Sequence, residues 1–139
     1  MESAEAIAII AAGVFFLSGL LTGVWKYLQI KSSESATAHP YVDIAHRASL
    51  LYSFAALLLA RFCEISHLPP TVEIWAVSLP LLYFASAILM YVIHWALRDT
   101  DNQLKPPFRM GQTTLPGTFI SGYMWTLTAA EIGGFLVHI

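Results

Sequence analysis

The sequence predicts an all-α integral membrane protein, an antiparallel bundle of four transmembrane helices. Three observations carry that prediction. Apolar runs occupy roughly residues 5–30, 42–66, 71–97 and 114–139, and each meets the ~20 residues a helix needs to cross a bilayer. Only 12% of the 139 residues are charged and 57% are hydrophobic, against about 25% charged in soluble domains. The basic residues divide unevenly: Lys26, Lys31, Arg47, Arg98, Lys105 and Arg109 fall at one end of the bundle and Arg61 alone toward the other. Four spans use nearly the whole length, so residues 1–139 read as one domain.

The first span opens with Glu2 and Glu5 and no basic residue. A secretory leader has a positive start and a shorter apolar core, so a retained span is expected. It closes on Trp25-Lys26-Tyr27, an aromatic and basic anchor of the interface type. A polar linker, Lys31 to Pro40, leads to the second span. Asp43 stands in that span's first turn, where a carboxylate favours the helix dipole. Leu68-Pro69-Pro70 stops it. The third span has Thr71 as its expected N-cap and Glu73 in its first turn. Pro80 lies inside it, tolerable in a membrane helix but expected to kink it. A second loop, through Lys105-Pro106-Pro107-Phe108-Arg109 to Pro116, precedes the fourth span. Alternating patterns are absent, so no β structure is expected.

The positive-inside rule places both long loops in the cytoplasm and both termini outside. The expected location is the cytoplasmic membrane of a bacterial or archaeal cell, with the lipid bilayer as partner. No basic patch for nucleic acid remains once the loops are assigned. Cys63 is the only cysteine, which excludes an intrachain disulfide, a CxxC motif and covalently attached haem. It reads as a small hydrophobe. No phosphate-binding loop, GxSxG or HExxH motif occurs.

Polar side chains inside spans are costly and mark function by default. His46 lies 23 residues before Pro69 and His94 24 residues after Pro70. In antiparallel helices the two then sit within about 2 Å in depth. Two imidazoles at one level suit one metal or haem iron, with His39 near enough to join; the plainer alternative is interfacial histidines touching water and headgroups. His46, Ser49, Ser53, Ala56 and Ala60 form one stripe of small and polar groups, the kind that faces another helix. Tyr52, Tyr83 and Tyr91 add phenols that can orient a ligand. Glu131 and Arg61 form a second constellation. Each is eight residues from its end of the bundle, roughly 12 Å deep, so a structural salt bridge is expected, with proton transfer as the alternative. Gly19/Gly23, Gly117/Ser121 and Thr118/Gly122 repeat the GxxxG spacing of close helix or subunit contact.

The run Ala45-His46-Arg47-Ala48-Ser49-Leu50, opening the second of four spans, resembles the styrene oxide isomerase and hydroxylaminobenzene mutase type of four-helix membrane isomerase. The loop before the fourth span, with Asn102-Gln103 and Leu115-Pro116-Gly117, is similar too. The resemblance spans about residues 40–139. It implies that His46 ligates haem b between subunits of a trimer, and that ferric haem acts as a Lewis acid on an epoxide. That family has an asparagine six residues after the histidine, where this chain has Tyr52. The departure bears on epoxide chemistry more than on haem binding.

Two functional expectations follow. One is a haem-b membrane protein, isomerase or redox, acting on a small apolar substrate. It has His46, with His94 and His39, at the cofactor and Tyr52, Tyr83 and Tyr91 at the substrate. The other is a non-catalytic accessory subunit of a larger membrane complex. Either way an oligomer is expected, because four helices bury little surface.

Overall fold

In the computed structural model, which describes residues 3–98 and 103–139, the chain forms four helices and one small hairpin. The order is α1 (Ser3–Ser32), α2 (Pro40–Ile65), α3 (Pro70–Leu97), β1 (Arg109–Met110), β2 (Thr113–Thr114) and α4 (Gly117–Leu136). The all-α class holds. The hairpin corrects the expectation of no β structure. Its register pairs Arg109 with Thr114 and Met110 with Thr113. Gly111 turns it at φ 61°, the positive φ that primed two-residue turns require. A two-residue strand is too short to leave an alternating pattern in the sequence.

Among the described residues, α1, α2 and α3 are long and apolar enough to cross a membrane. The sequence reading made four such spans, but α4 is not among the three. Its 20 residues are interrupted by Gly, Ser, Thr and Glu131, and none of them is buried.

Helix α1 meets α2 along a stripe of small residues. Ala4, Ala8, Ala12, Phe15 and Gly19 are its buried positions, and three- and four-residue spacing lines them on one face. Opposite them, Ser49, Ser53, Ala56 and Ala60 of α2 are buried, four of the five residues of the stripe read from the sequence, and Cys63 extends it; the fifth, His46, is half-buried. Val77 and Leu81 of α3 complete the core. Gly19 and Gly23 are part of this seam. A Cβ at Gly19 would come within 2.6 Å of Leu50 Cδ2, and one at Gly23 within 2.9 Å of His46 Cε1. The other two GxxxG-like pairs behave differently: a Cβ at Gly117 would meet Phe108 of the loop at 3.3 Å, and one at Gly122 nothing within 4 Å.

Polar caps and pairs fix the ends. His39 Nδ1 accepts from the Tyr41 N–H, capping α2. Helix α3 starts at Pro70 with Pro69 as N-cap and no side-chain capping bond, so the expected Thr71 cap is corrected. Two consecutive prolines start the helix by their fixed φ instead. The helix continues through Pro80. Asp43 pairs with Lys26 of α1 at 2.5 Å and with Arg47 at 2.7 Å, and Trp25 packs edge-on to Trp95 at 4.3 Å. The outside is apolar: Leu51 is 68% and Trp125 73% exposed.

Candidate functional site

A cavity of about 320 Å³ opens between α3 and α4, with α2 behind it and the hairpin loop over it. That volume is at the low end for small-molecule sites. Its walls are largely apolar: Ala87, Met90, Phe119, Ile120, Met124 and Leu127 line it, with Phe108 and Met110 from the loop. Into these walls project Tyr52, Tyr91, Tyr123, His94, Arg109 and Glu131.

Each polar group is held by its surroundings. Tyr52 stacks on Phe84, ring centres 4.3 Å apart and 8° from parallel. Tyr91 and His94, three residues apart on α3, both stack on Tyr41 of α2, at 6.1 and 5.7 Å. The Tyr41 hydroxyl in turn accepts from the Gln103 N–H at 2.6 Å, which ties the start of the loop to α2. Tyr123 Oη lies 2.6 Å from Ser86 Oγ. Glu131 Oε1 is buried and has no hydrogen-bond partner. A carboxylate oxygen in that condition costs several kcal/mol of lost solvation, roughly, unless something meets it.

The sequence-derived candidates are divided. Tyr52, Tyr91 and His94 line the one cavity. Tyr83 does not; it packs against Tyr123 at 5.8 Å. His46 also stays outside the cavity. Its ring sits in the α1–α2 seam, with Nδ1 2.8 Å from the Gly19 carbonyl oxygen. His39 serves as a cap. His39 and His94 both stack on Tyr41, at 6.0 and 5.7 Å, but His46, His94 and His39 do not bring their ligand atoms within 4.8 Å of one another, which corrects the expectation that all three join at one ion. Equal depth is set by residue count, but direction is set by which helix each face meets, and α1 claims His46 while Tyr41 claims His94.

The Arg61–Glu131 salt bridge is also corrected. Arg61 points outward and pairs with Glu64 on the next turn of the same helix. Equal depth again did not mean a shared face. Arg61→Leu is expected to leave the melting temperature unchanged, because an exposed i,i+3 pair contributes little. Arg61→Leu and Glu131→Gln should then have additive effects in a thermal melt; a double variant that recovers the loss of one single would show coupling.

Tyr123 was not singled out from the sequence, although a signal for it exists. Ile120, Tyr123, Met124, Leu127 and Glu131 follow three- and four-residue spacing, and all five line the cavity. No protein-family model, characterised protein or solved structure matches this chain.

Proposed function

We propose that this chain is an integral membrane protein, an antiparallel bundle in which α4 crosses alongside the three longer helices so that both termini lie outside, and that it binds a small, mostly apolar molecule in the cavity and isomerises it. The observation that carries this is the cavity itself: apolar walls with three phenols, an imidazole and an unpartnered carboxylate oxygen converging on one space. The membrane setting rests on three long apolar helices and an apolar exterior. Isomerisation suits the side chains present. It requires only that a proton leave one atom and return to another, and Glu131 would take and return it. Tyr52, Tyr91 and Tyr123 would orient the substrate's polar group, and Met90, Met124 and Phe119 would hold its apolar part.

Haem b on His46 is a separate part of this reading, held outside the cavity at the α1–α2 seam, in a trimer whose neighbouring subunit would cover it. The donor set fits. A carbonyl oxygen only accepts, so the contact with Gly19 makes Nδ1 the protonated nitrogen. Nε2 is then the basic nitrogen, and this carbonyl-anchored tautomer is the usual one for a ligating histidine. Ferric haem would supply Lewis acidity to a bound oxygen. His94 lines the cavity and His46 does not, so this chain would offer the iron one histidine.

The purified protein, supplied with haem, is expected to show a Soret band that His46→Ala removes and Tyr123→Phe leaves intact. An unchanged band in His46→Ala would end the ligand assignment. Without any band the cavity is tested separately. Small epoxides and arenes should quench tyrosine and tryptophan fluorescence in the native chain and not in Leu127→Trp, where the cavity is filled. Identical quenching in both would leave the accessory-subunit reading in place.

A further inference from the structure

At the opposite end of the bundle from His46, three buried side chains meet, two from helices and one from the turn after α4. Cys63 ends the buried face of α2, Glu73 lies in the first turn of α3, and His138 follows the last turn of α4. Cys63 lies seventeen residues along α2 from His46, about 25 Å at helical rise. Cys63 is 3% exposed, Glu73 5% and His138 8%. The thiol sulfur, a carboxylate oxygen and an imidazole nitrogen all lie within 4.8 Å of one another. Among the described residues this is the one such cluster of three.

We infer that Cys63, Glu73 and His138 form a binding site for a divalent transition-metal ion, with zinc(II) the best match. The histidine is set for it. Its Nδ1 is 2.8 Å from the Gly134 carbonyl oxygen, and since that oxygen only accepts, Nδ1 carries the proton. Nε2 therefore presents its lone pair, and it does so 3.8 Å from Cys63 Sγ. A tetrahedral zinc with Zn–S of ~2.3 Å and Zn–N of ~2.0–2.1 Å separates those two atoms by about 3.6 Å. The observed spacing needs a shift of a few tenths of an ångström.

Charge points the same way. Glu73 is a buried carboxylate, and the ion pairs of the described residues are Lys26–Asp43, Arg47–Asp43 and Arg61–Glu64. None of them reaches Glu73. A buried charge is paired or coordinates a metal. A bare thiol–imidazole contact would explain Cys63 and His138 but leave Glu73 uncompensated. Thiolate, imidazole and carboxylate together suit zinc, and a water completes four ligands. The ion would tie the end of α4, a helix with no buried residue of its own, to α2 and α3.

Cobalt(II) tests this in the whole protein, purified in detergent without a polyhistidine tag and stripped with chelator. One equivalent should give the visible bands of a four-coordinate ion together with a thiolate-to-cobalt charge-transfer band. Cys63 is the only cysteine, so that band has one possible source. Zinc(II) should displace the cobalt and abolish the spectrum. Cys63→Ser should lose the charge-transfer band, and His138→Gln should weaken binding by more than the ~10–100-fold that loss of an outer partner costs. Far-UV circular dichroism checks that the variants fold, and the native titration decides the matter if they do not. A native protein that takes up no stoichiometric cobalt, or that binds it without the charge-transfer band, overturns the site. The haem and cavity measurements are independent of these outcomes.

Discussion

Gly134→Leu is expected to detach α4 from α3 and to cause the largest loss of stability of any single substitution in this helix. A Cβ at this position would lie 2.6 Å from the Ala76 carbonyl oxygen and 2.7 Å from Pro80 Cγ. Neither can give way cheaply, because one is backbone and the other a ring locked into it. Overpacking of this kind costs typically about 1–3 kcal/mol, and more where the backbone must move. Here the whole of α4 must move. It would carry Phe135 off Phe62, now packed edge-on at 5.1 Å, and Glu131 and Tyr123 out of the cavity wall. Gly133→Leu is the control: nothing lies within 4 Å of a Cβ there. A thermal melt in detergent should show a drop of many degrees for Gly134→Leu and little change for Gly133→Leu. Equal shifts would mean that the α3–α4 contact is not held at this point.

Gly23→Leu should have the second largest effect, through His46. The added Cβ would stand 2.9 Å from His46 Cε1 and 3.1 Å from Nδ1. The imidazole is held in place by its bond to the Gly19 carbonyl, so it must leave the seam. The carbonyl is already bonded along its helix. The larger cost is the loss of close contact where α1 and α2 meet through small residues. In a membrane, packing of this kind replaces the hydrophobic effect between helices. The variant should melt earlier, and in the haem-loaded protein it should weaken or remove the Soret band. Gly13→Leu, with open space at its Cβ, should do neither. A Gly23→Leu protein with native melting and a native spectrum would show that the seam tolerates a wider separation.

The distribution of legible and hidden features follows from range. Helix α1 was legible because 30 residues of apolar sequence leave a helix as the only way to satisfy the backbone in a membrane. The α2 stripe from His46 to Ala60 was legible as a packing face because small residues at helical spacing mean close approach in any partner arrangement. Tyr52, Tyr83 and Tyr91 were named as one set and His94 with His46 and His39, but the cavity takes Tyr52 and Tyr91 from the first and His94 from the second. The spacing of α3 places Tyr83, Tyr91 and His94 near one face, while the position of α4 decides which of them meets open space.

By itself the sequence determined where the helices run, which turns break them, and which residues are too polar for lipid. Those are properties of one segment at a time: length, hydropathy and Pro or Gly punctuation. The tertiary structure alone decided the pairings. Residue counting places His46 level with His94, and Arg61 level with Glu131, but it carries no information about rotation about each helix axis. A rotation of half a turn separates partners at equal depth by a full helix diameter, about 10 Å. So His46 turned to Gly19, Arg61 to Glu64, and Cys63, which the sequence offered only as a small hydrophobe, came to face Glu73 from α3 and His138 from the turn after α4.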